Sequence, residues 1–194
     1  MLDLQLHPII TDCVPIVFSY LEEKAVAAAR LLLLLEDKSV DITRLIKLLY
    51  LCERESLLQR NNPIFGDSYK SLPFGPAVQV TYSKLQASWG GLLRHGHLVI
   101  LKEDRGIAAL SKKQVNLITQ VSENFLSLED WQLTDYCYKL PEYQYSKDSI
   151  LVRELLKFLG KTPEEIESIA QEAKRDQHIR DCFKSHHILS VPTI

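Results

Sequence analysis

Apolar residues run from Ala25 to Leu35 with Arg30 as the one interruption, and charge brackets the run, with Glu22, Glu23 and Lys24 before it and Glu36, Asp37 and Lys38 after it. Crossing a bilayer needs ~20 apolar residues, so the pattern predicts a buried core helix and no membrane anchor. Asp12 and Pro15 supply a helix start, which puts this first helix over about 12–36. A second helix opens at Asp41, a good N-cap, with Leu45, Leu48, Leu49 and Cys52 at helical spacing. Arg44, Lys47, Arg54 and Glu55 take its more polar positions, and it ends near Asn61-Asn62-Pro63.

From residue 64 to 75 the periodicity breaks, yet Ile64, Phe65, Tyr69, Leu72 and Phe74 need burial, so an ordered loop is expected there. Pro76 suits the first turn of a helix reaching about Ser88. Two short β-prone runs, 97–102 and 107–110, flank Glu103-Asp104-Arg105-Gly106 and predict one hairpin. Ser111 with Gln114 reads as a capping box before Val115, Ile118, Val121 and Phe125, and Ser127 precedes a short helix carrying Trp131 and Leu133. After a loop over 141–146, Ile150, Leu151, Leu155, Phe158 and Leu159 outline a helix closed by Gly160. Thr162-Pro163-Glu164-Glu165 is the strongest helix start in the chain, and it opens a polar helix with a thin stripe of Ile166, Ile169, Ala173 and Ile179.

The pattern therefore predicts a mainly α fold: a single compact helical domain over 1–160 with a small β-hairpin, and a C-terminal helical extension over 161–194. Composition agrees. Hydrophobic residues make up 46% and charged residues 25% of the 194, which excludes disorder, and seven glycines are too few for an all-β domain. A net charge of -2 gives no basic excess for phosphates, so a nucleic-acid partner is not expected. Cys13, Cys52, Cys137 and Cys182 are scattered without a CxxC pair, and the N-terminus shows no secretory signal; both point to a reducing cytoplasm.

Candidate chemistry is sparse. Neither GxSxG, GxxxxGK[ST] nor HExxH occurs. His95 and His97 share a strand face but lack a third ligand. His178, Cys182 and His186 recur every four residues, but eight residues of helix separate the outer two by ~12 Å, too far for one ion. Glu22-Glu23, Glu53-Glu55, Glu129-Asp130 and Glu164-Glu165 read as solubilising or dipole-complementing pairs. The large rings, Tyr69, Tyr82, Trp89, Trp131, Tyr136, Tyr138, Tyr143 and Tyr145, read first as core filler and second as interface anchors. No catalytic residue, metal or cofactor is expected.

Three motifs in order carry a family resemblance over roughly 15–145. Lys47-Leu48-Leu49-Tyr50-Leu51-Cys52-Glu53-Arg54-Glu55-Ser56-Leu57 is followed by Ile64-Phe65-Gly66-Asp67-Ser68-Tyr69 and then by Leu72-Pro73-Phe74-Gly75-Pro76-Ala77-Val78, with Tyr82 beyond. Together they resemble the Panacea (SocA-like) antitoxin domain, and Asp135 to Tyr143 continues the likeness. Phe74 and Tyr138 stand where that family usually has histidine, and Tyr143 where it has tryptophan. The substitutions remove proton-transfer groups and keep aromatic surface, which fits packing or partner contact better than catalysis.

The resemblance implies a non-enzymatic antitoxin of a bacterial or phage toxin–antitoxin pair, of use in phage defence, which binds and neutralises a cognate protein toxin by direct contact. Its alternatives are an adaptor that delivers the toxin to a protease and, behind that, a small enzyme with a site around 67–76; a homodimer is open. The expected partner-binding residues are Phe65, Asp67, Tyr69, Phe74, Gly75, Pro76 and Tyr82. Physically, Pro73-Phe74-Gly75-Pro76 reads as a rigid turn, which either holds its neighbours together or meets the partner.

Overall fold

A computed structural model describes residues 15–145 and 148–188; the side chains of Tyr145 and of residues 184–188 lie outside that description. Eight helices and two small antiparallel sheets are described, so the fold is mainly α. Asp12 and Cys13 lie outside the described residues. The first helix, α1 (Glu22–Leu35), starts about seven residues after Pro15, because the chain from Pro15 to Leu21 is irregular and Leu21 N–H donates to the Phe65 carbonyl at 2.8 Å. Ala25 through Leu33 of α1 are all buried, as the unbroken apolar run requires. Arg30 is buried with them, and its guanidinium donates to the carbonyls of Gly90 and Gly106, tying two loops to the helix.

After β1 (Ser39–Asp41), Asp41 caps α2 (Ile42–Arg60), its carboxylate accepting from Thr43 N–H at 2.7 Å; Asn61 ends the helix in the left-handed region. This helix is the centre of the fold. It packs on α1, on α4 (Lys112–Phe125), on α5 (Asp130–Tyr138) and on β3 (Gly75–Val78), which is why it is buried almost all round. Fully burying a single leucine stabilises by roughly 1.5–3 kcal/mol, and Leu45, Leu48, Leu49 and Leu57 of α2 are all at 0% exposure.

The β structure departs from expectation in two places. The expected loop over 64–75 contains β2 (Tyr69–Leu72), which pairs antiparallel with β3, and Pro76 sits in β3 opposite Ser71 instead of opening a helix. Sheet order β3-β2-β6 makes β3 an edge strand, where a missing N–H is tolerated. The following helix, α3 (Gln79–Lys84), is correspondingly short. The second correction is the hairpin. It is formed by β4 (Leu92–His95) and β5 (Leu98–Leu101), turns at Gly96-His97, and is joined by β1 in the order β1-β5-β4. Residues 107–110 form no strand, and Gly106 lies in the loop that Arg30 holds.

The cap of α4 is as expected and that of α5 is not. Ser111 and Gln114 form a capping box on α4; Glu129, not Ser127, caps α5 with Gln132. Residues expected as loop after Leu140 form a short helix, α6 (Pro141–Tyr145), and Ser146 lies outside the described residues. Beyond β6 (Ser149–Ile150), α7 (Val152–Phe158) is followed by Gly160, and α8 (Pro163–Ile188) opens with Thr162 Oγ1 accepting from Glu165 N–H at 3.2 Å. Ile166, Ile169 and Ala173 of α8 are buried, whereas Ile179 is 44% and Phe183 71% exposed. Among the described residues no helix is long and apolar enough to cross a membrane.

Candidate functional site

The site is built on two buried carboxylates. Glu53 projects from α2 on the side shared with Leu49, Cys52 and Ser56, and it is completely buried. The chain from Ile64 to Asp67 curls around it. Its carboxylate accepts from the backbone N–H groups of Ile64 at 2.7 Å, Phe65 at 3.0 Å, Gly66 at 3.0 Å and Asp67 at 3.3 Å, and from the Tyr69 hydroxyl at 3.1 Å. Such a concavity of N–H groups suits an anion. Gly66 makes it possible: its φ is +69°, and a Cβ there would lie 2.6 Å from the Ser19 carbonyl oxygen. Burial pushes the Glu53 carboxyl up to about 7 against the pull of these hydrogen bonds.

Asp67 does for the next turn what Glu53 does for the loop. Its carboxylate accepts from Ser68 N–H at 2.7 Å, Val80 N–H at 2.8 Å, Thr81 N–H at 2.9 Å and Thr81 Oγ1 at 2.7 Å, so it closes the strand pair onto the first turn of α3. Burial raises its pKa while the bonds to Thr81 and its neighbours lower it.

Between these anchors, Leu72 to Pro76 forms the turn. Tyr138 of α5 donates its hydroxyl to the Pro73 carbonyl at 2.8 Å, and Tyr143 of α6 donates to the Leu72 carbonyl at 2.9 Å; their rings stack 5.5 Å apart. The aromatic residues standing for the usual family histidine and tryptophan thus grip the turn by its carbonyls. Glu142, between them in function, is buried at 0% exposure and accepts from Tyr50 Oη at 3.0 Å and Arg54 Nε at 2.6 Å, which locks α6 onto α2. Gly75, at φ +116°, lies over α2, where a Cβ would come within 3.3 Å of Lys47 Cε and 3.6 Å of Cys137 Cβ.

The seven expected contact residues separate into two sets. Phe65, Asp67, Tyr69, Gly75 and Pro76 are buried, and Phe74 and Tyr82 are half-buried, their rings meeting edge to face with centroids 5.9 Å apart. Glu53 and Lys47, read from the sequence as polar surface positions, are interior. The signal for Glu53 was its place one helical turn from Leu49 and Leu57, on an apolar face. Glu142 carried no comparable local signal.

Elsewhere, His95 and His97 are exposed in the β4–β5 hairpin, Cys182 Sγ lies 3.7 Å from His178 Nε2 on exposed α8, and the His186 side chain lies outside the described residues. No group of three or more metal-ligating side chains converges among the described residues. Trp89 is buried with its indole N–H donating to Glu22 at 2.8 Å, while Trp131 and Tyr136 are exposed.

Fold and site together define a helical scaffold that holds a short aromatic turn in a fixed shape from below and behind. Residues 45–144, just over half the chain, match the model of the family described as Antitoxin SocA-like, Panacea domain, and the chain belongs to that family. No curated protein and no solved structure matches it. Membership points to an antitoxin-like, non-enzymatic role with a toxin as the general class of partner.

Proposed function

We propose that this chain neutralises a cognate protein toxin by direct contact, covering a toxin surface without turnover. The observation that carries the reading is the half-buried Phe74–Tyr82 pair, presented on a turn whose backbone is held by the hydroxyls of Tyr138 and Tyr143 and by the buried Asp67–Thr81 contact. A turn whose backbone is fixed presents its rings at low entropic cost, and aromatic anchors dominate protein interfaces. In this reading Phe65, Asp67, Tyr69, Gly75 and Pro76 shape the contact surface, and residues 1–160 form the toxin-binding unit to which 161–194 is an extension.

Co-expression with the toxin encoded by the neighbouring reading frame tests it. Growth rescue, a stable purified complex and intact toxin after separation under denaturing conditions are the expected results. Rescue that depends on a host protease and depletes the toxin would make the chain an adaptor instead, and failure to rescue or to form a complex would refute the reading.

A further inference from the structure

Lys47 carries an ammonium group into the interior without a counter-ion. It sits in the middle of α2 at 1% exposure, and its Nζ makes no hydrogen bond. The Phe74 ring faces it, with its centroid 5.3 Å from Nζ. Charged and titratable groups around it are Cys137 on α5, Asp41 at the start of α2 and Asp130 at the start of α5, none within hydrogen-bond reach of Nζ. Burial pushes the amine down to about 8. An interior cation is normally paired, and a leucine or methionine would fill this position at less cost. A ring face offsets only part of the loss, because it supplies no lone pair for three N–H donors.

The cover over this amine is the least embedded part of the site. Phe74 is half-buried, Pro73 is exposed, and Tyr82 is half-buried beside them. The backbone on either side is clasped by Tyr138 and Tyr143, so the shape of the turn does not rest on the Phe74 ring. On the turn side Gly75 packs directly on the lysine stem, where a Cβ would lie 3.3 Å from Cε and 3.8 Å from Nζ, so the Phe74 ring is the part of the cover that reaches solvent.

We propose that Phe74 is a movable cover over Lys47, and that turning it aside admits the side-chain carboxylate of a glutamate or aspartate on the partner protein, with Lys47 as its buried counter-ion. The inference rests on the antitoxin reading for the identity of that partner as the toxin. An acidic side chain fits better than a chain terminus, because a short stem reaches past the displaced Phe74 ring without bringing unpaired peptide groups into apolar surroundings. The paired charge is then desolvated and hydrogen-bonded, the arrangement in which interfacial ion pairs contribute most to specificity.

Two measurements test the proposal. In the full chain alone, the Lys47 ammonium signal is titrated by NMR with N-acetylglutamate N-methylamide present, and again with the glutamine analogue at equal ionic strength. The glutamate probe is expected to move the Lys47 midpoint up by about half a pH unit and the glutamine analogue to leave it unchanged; equal behaviour with both overturns the proposal. In the complex, Lys47→Met is expected to weaken toxin binding at least tenfold while the free protein melts no lower than wild type. One acidic residue of the toxin, changed to its amide, should weaken binding to the wild-type chain and leave binding to Lys47→Met unaltered. Undiminished affinity of Lys47→Met, or coupling of Lys47 to the toxin's C-terminal carboxylate alone, overturns it. Absence of any complex with the wild-type chain is a failure of the antitoxin reading, and the probe titration then decides the Lys47 site by itself.

Discussion

Glu53→Gln is the sharpest test of how the site is held. The substitution keeps shape and removes charge, and it turns one of two acceptor oxygens into an NH₂ donor. If the amide nitrogen replaces Oε1, it faces the N–H groups of Ile64 and Phe65; if it replaces Oε2, it faces those of Gly66 and Asp67, while the Tyr69 hydroxyl can turn to accept. In either orientation two backbone donors are orphaned at a completely buried position. Each orphan costs ~1–3 kcal/mol, giving roughly 2–6 kcal/mol, before a partial return from no longer burying a charge. A net loss of about 2–5 kcal/mol is a large share of a typical stability of ~5–15 kcal/mol. Urea unfolding at pH 8, where the Glu53 carboxyl is ionised, should show a lower midpoint at unchanged slope, and limited proteolysis should open the chain between 61 and 69. A loss below about 0.5 kcal/mol would refute the argument that these N–H groups depend on the carboxylate.

The same carboxyl sets a pH dependence: it is pushed up to about 7 in the fold against ~4.3 unfolded, so across that window the native state holds a proton that the unfolded chain has released. Stability measured by urea at pH 5, 6, 7 and 8 should therefore fall as pH rises through the window and level above it, with Asp67 adding the same sign, and Glu53→Gln should flatten the profile. Phe65→Ala should cost ~3–5 kcal/mol of stability, whereas Phe74→Ala and Tyr82→Ala should cost ~1 kcal/mol each and lower toxin affinity by roughly 30-fold, read by unfolding curves beside calorimetric titration. Truncation after Gly160 should lower the melting midpoint and promote aggregation, because Ile166, Ile169 and Ala173 pack against the rest of the chain; a truncated chain that melts normally but has lost its toxin would make α8 a gripping arm instead.

What the sequence discloses here is local, and what it hides is closure over distance. Asp41, Ser111 and Thr162 cap helices whose first turns they adjoin, so three or four residues suffice to recognise them. Pro76 misleads for the opposite reason: its fixed φ serves a helix start and an edge strand equally, and only the pairing of β3 with β2 decides. The hairpin was displaced because a charged stretch with a glycine, Glu103 to Gly106, looks more like a turn than Gly96-His97 does, and because Arg30, 76 residues before Gly106, fixes that stretch as a loop. Glu53 and Lys47 look like surface charges on a helix in isolation. Their burial depends on α2 being wrapped by α1, α4, α5 and β3, which no window of the chain contains. The family motifs did place the turn and its aromatic surroundings, though not the division between the rings that face outward and the residues that shape them.

The clasp of Tyr138 and Tyr143 on the carbonyls of Pro73 and Leu72 spans 65 and 71 residues of chain. During synthesis at ~5–20 residues per second, Phe74 leaves the ribosome several seconds before the tyrosines that shape its turn. For that interval the nascent protein has its scaffold helix but not the finished turn. Incomplete products that end before Tyr138 carry Phe74 without the geometry that presents it, so under the proposed function such fragments should compete poorly with the full chain for a toxin.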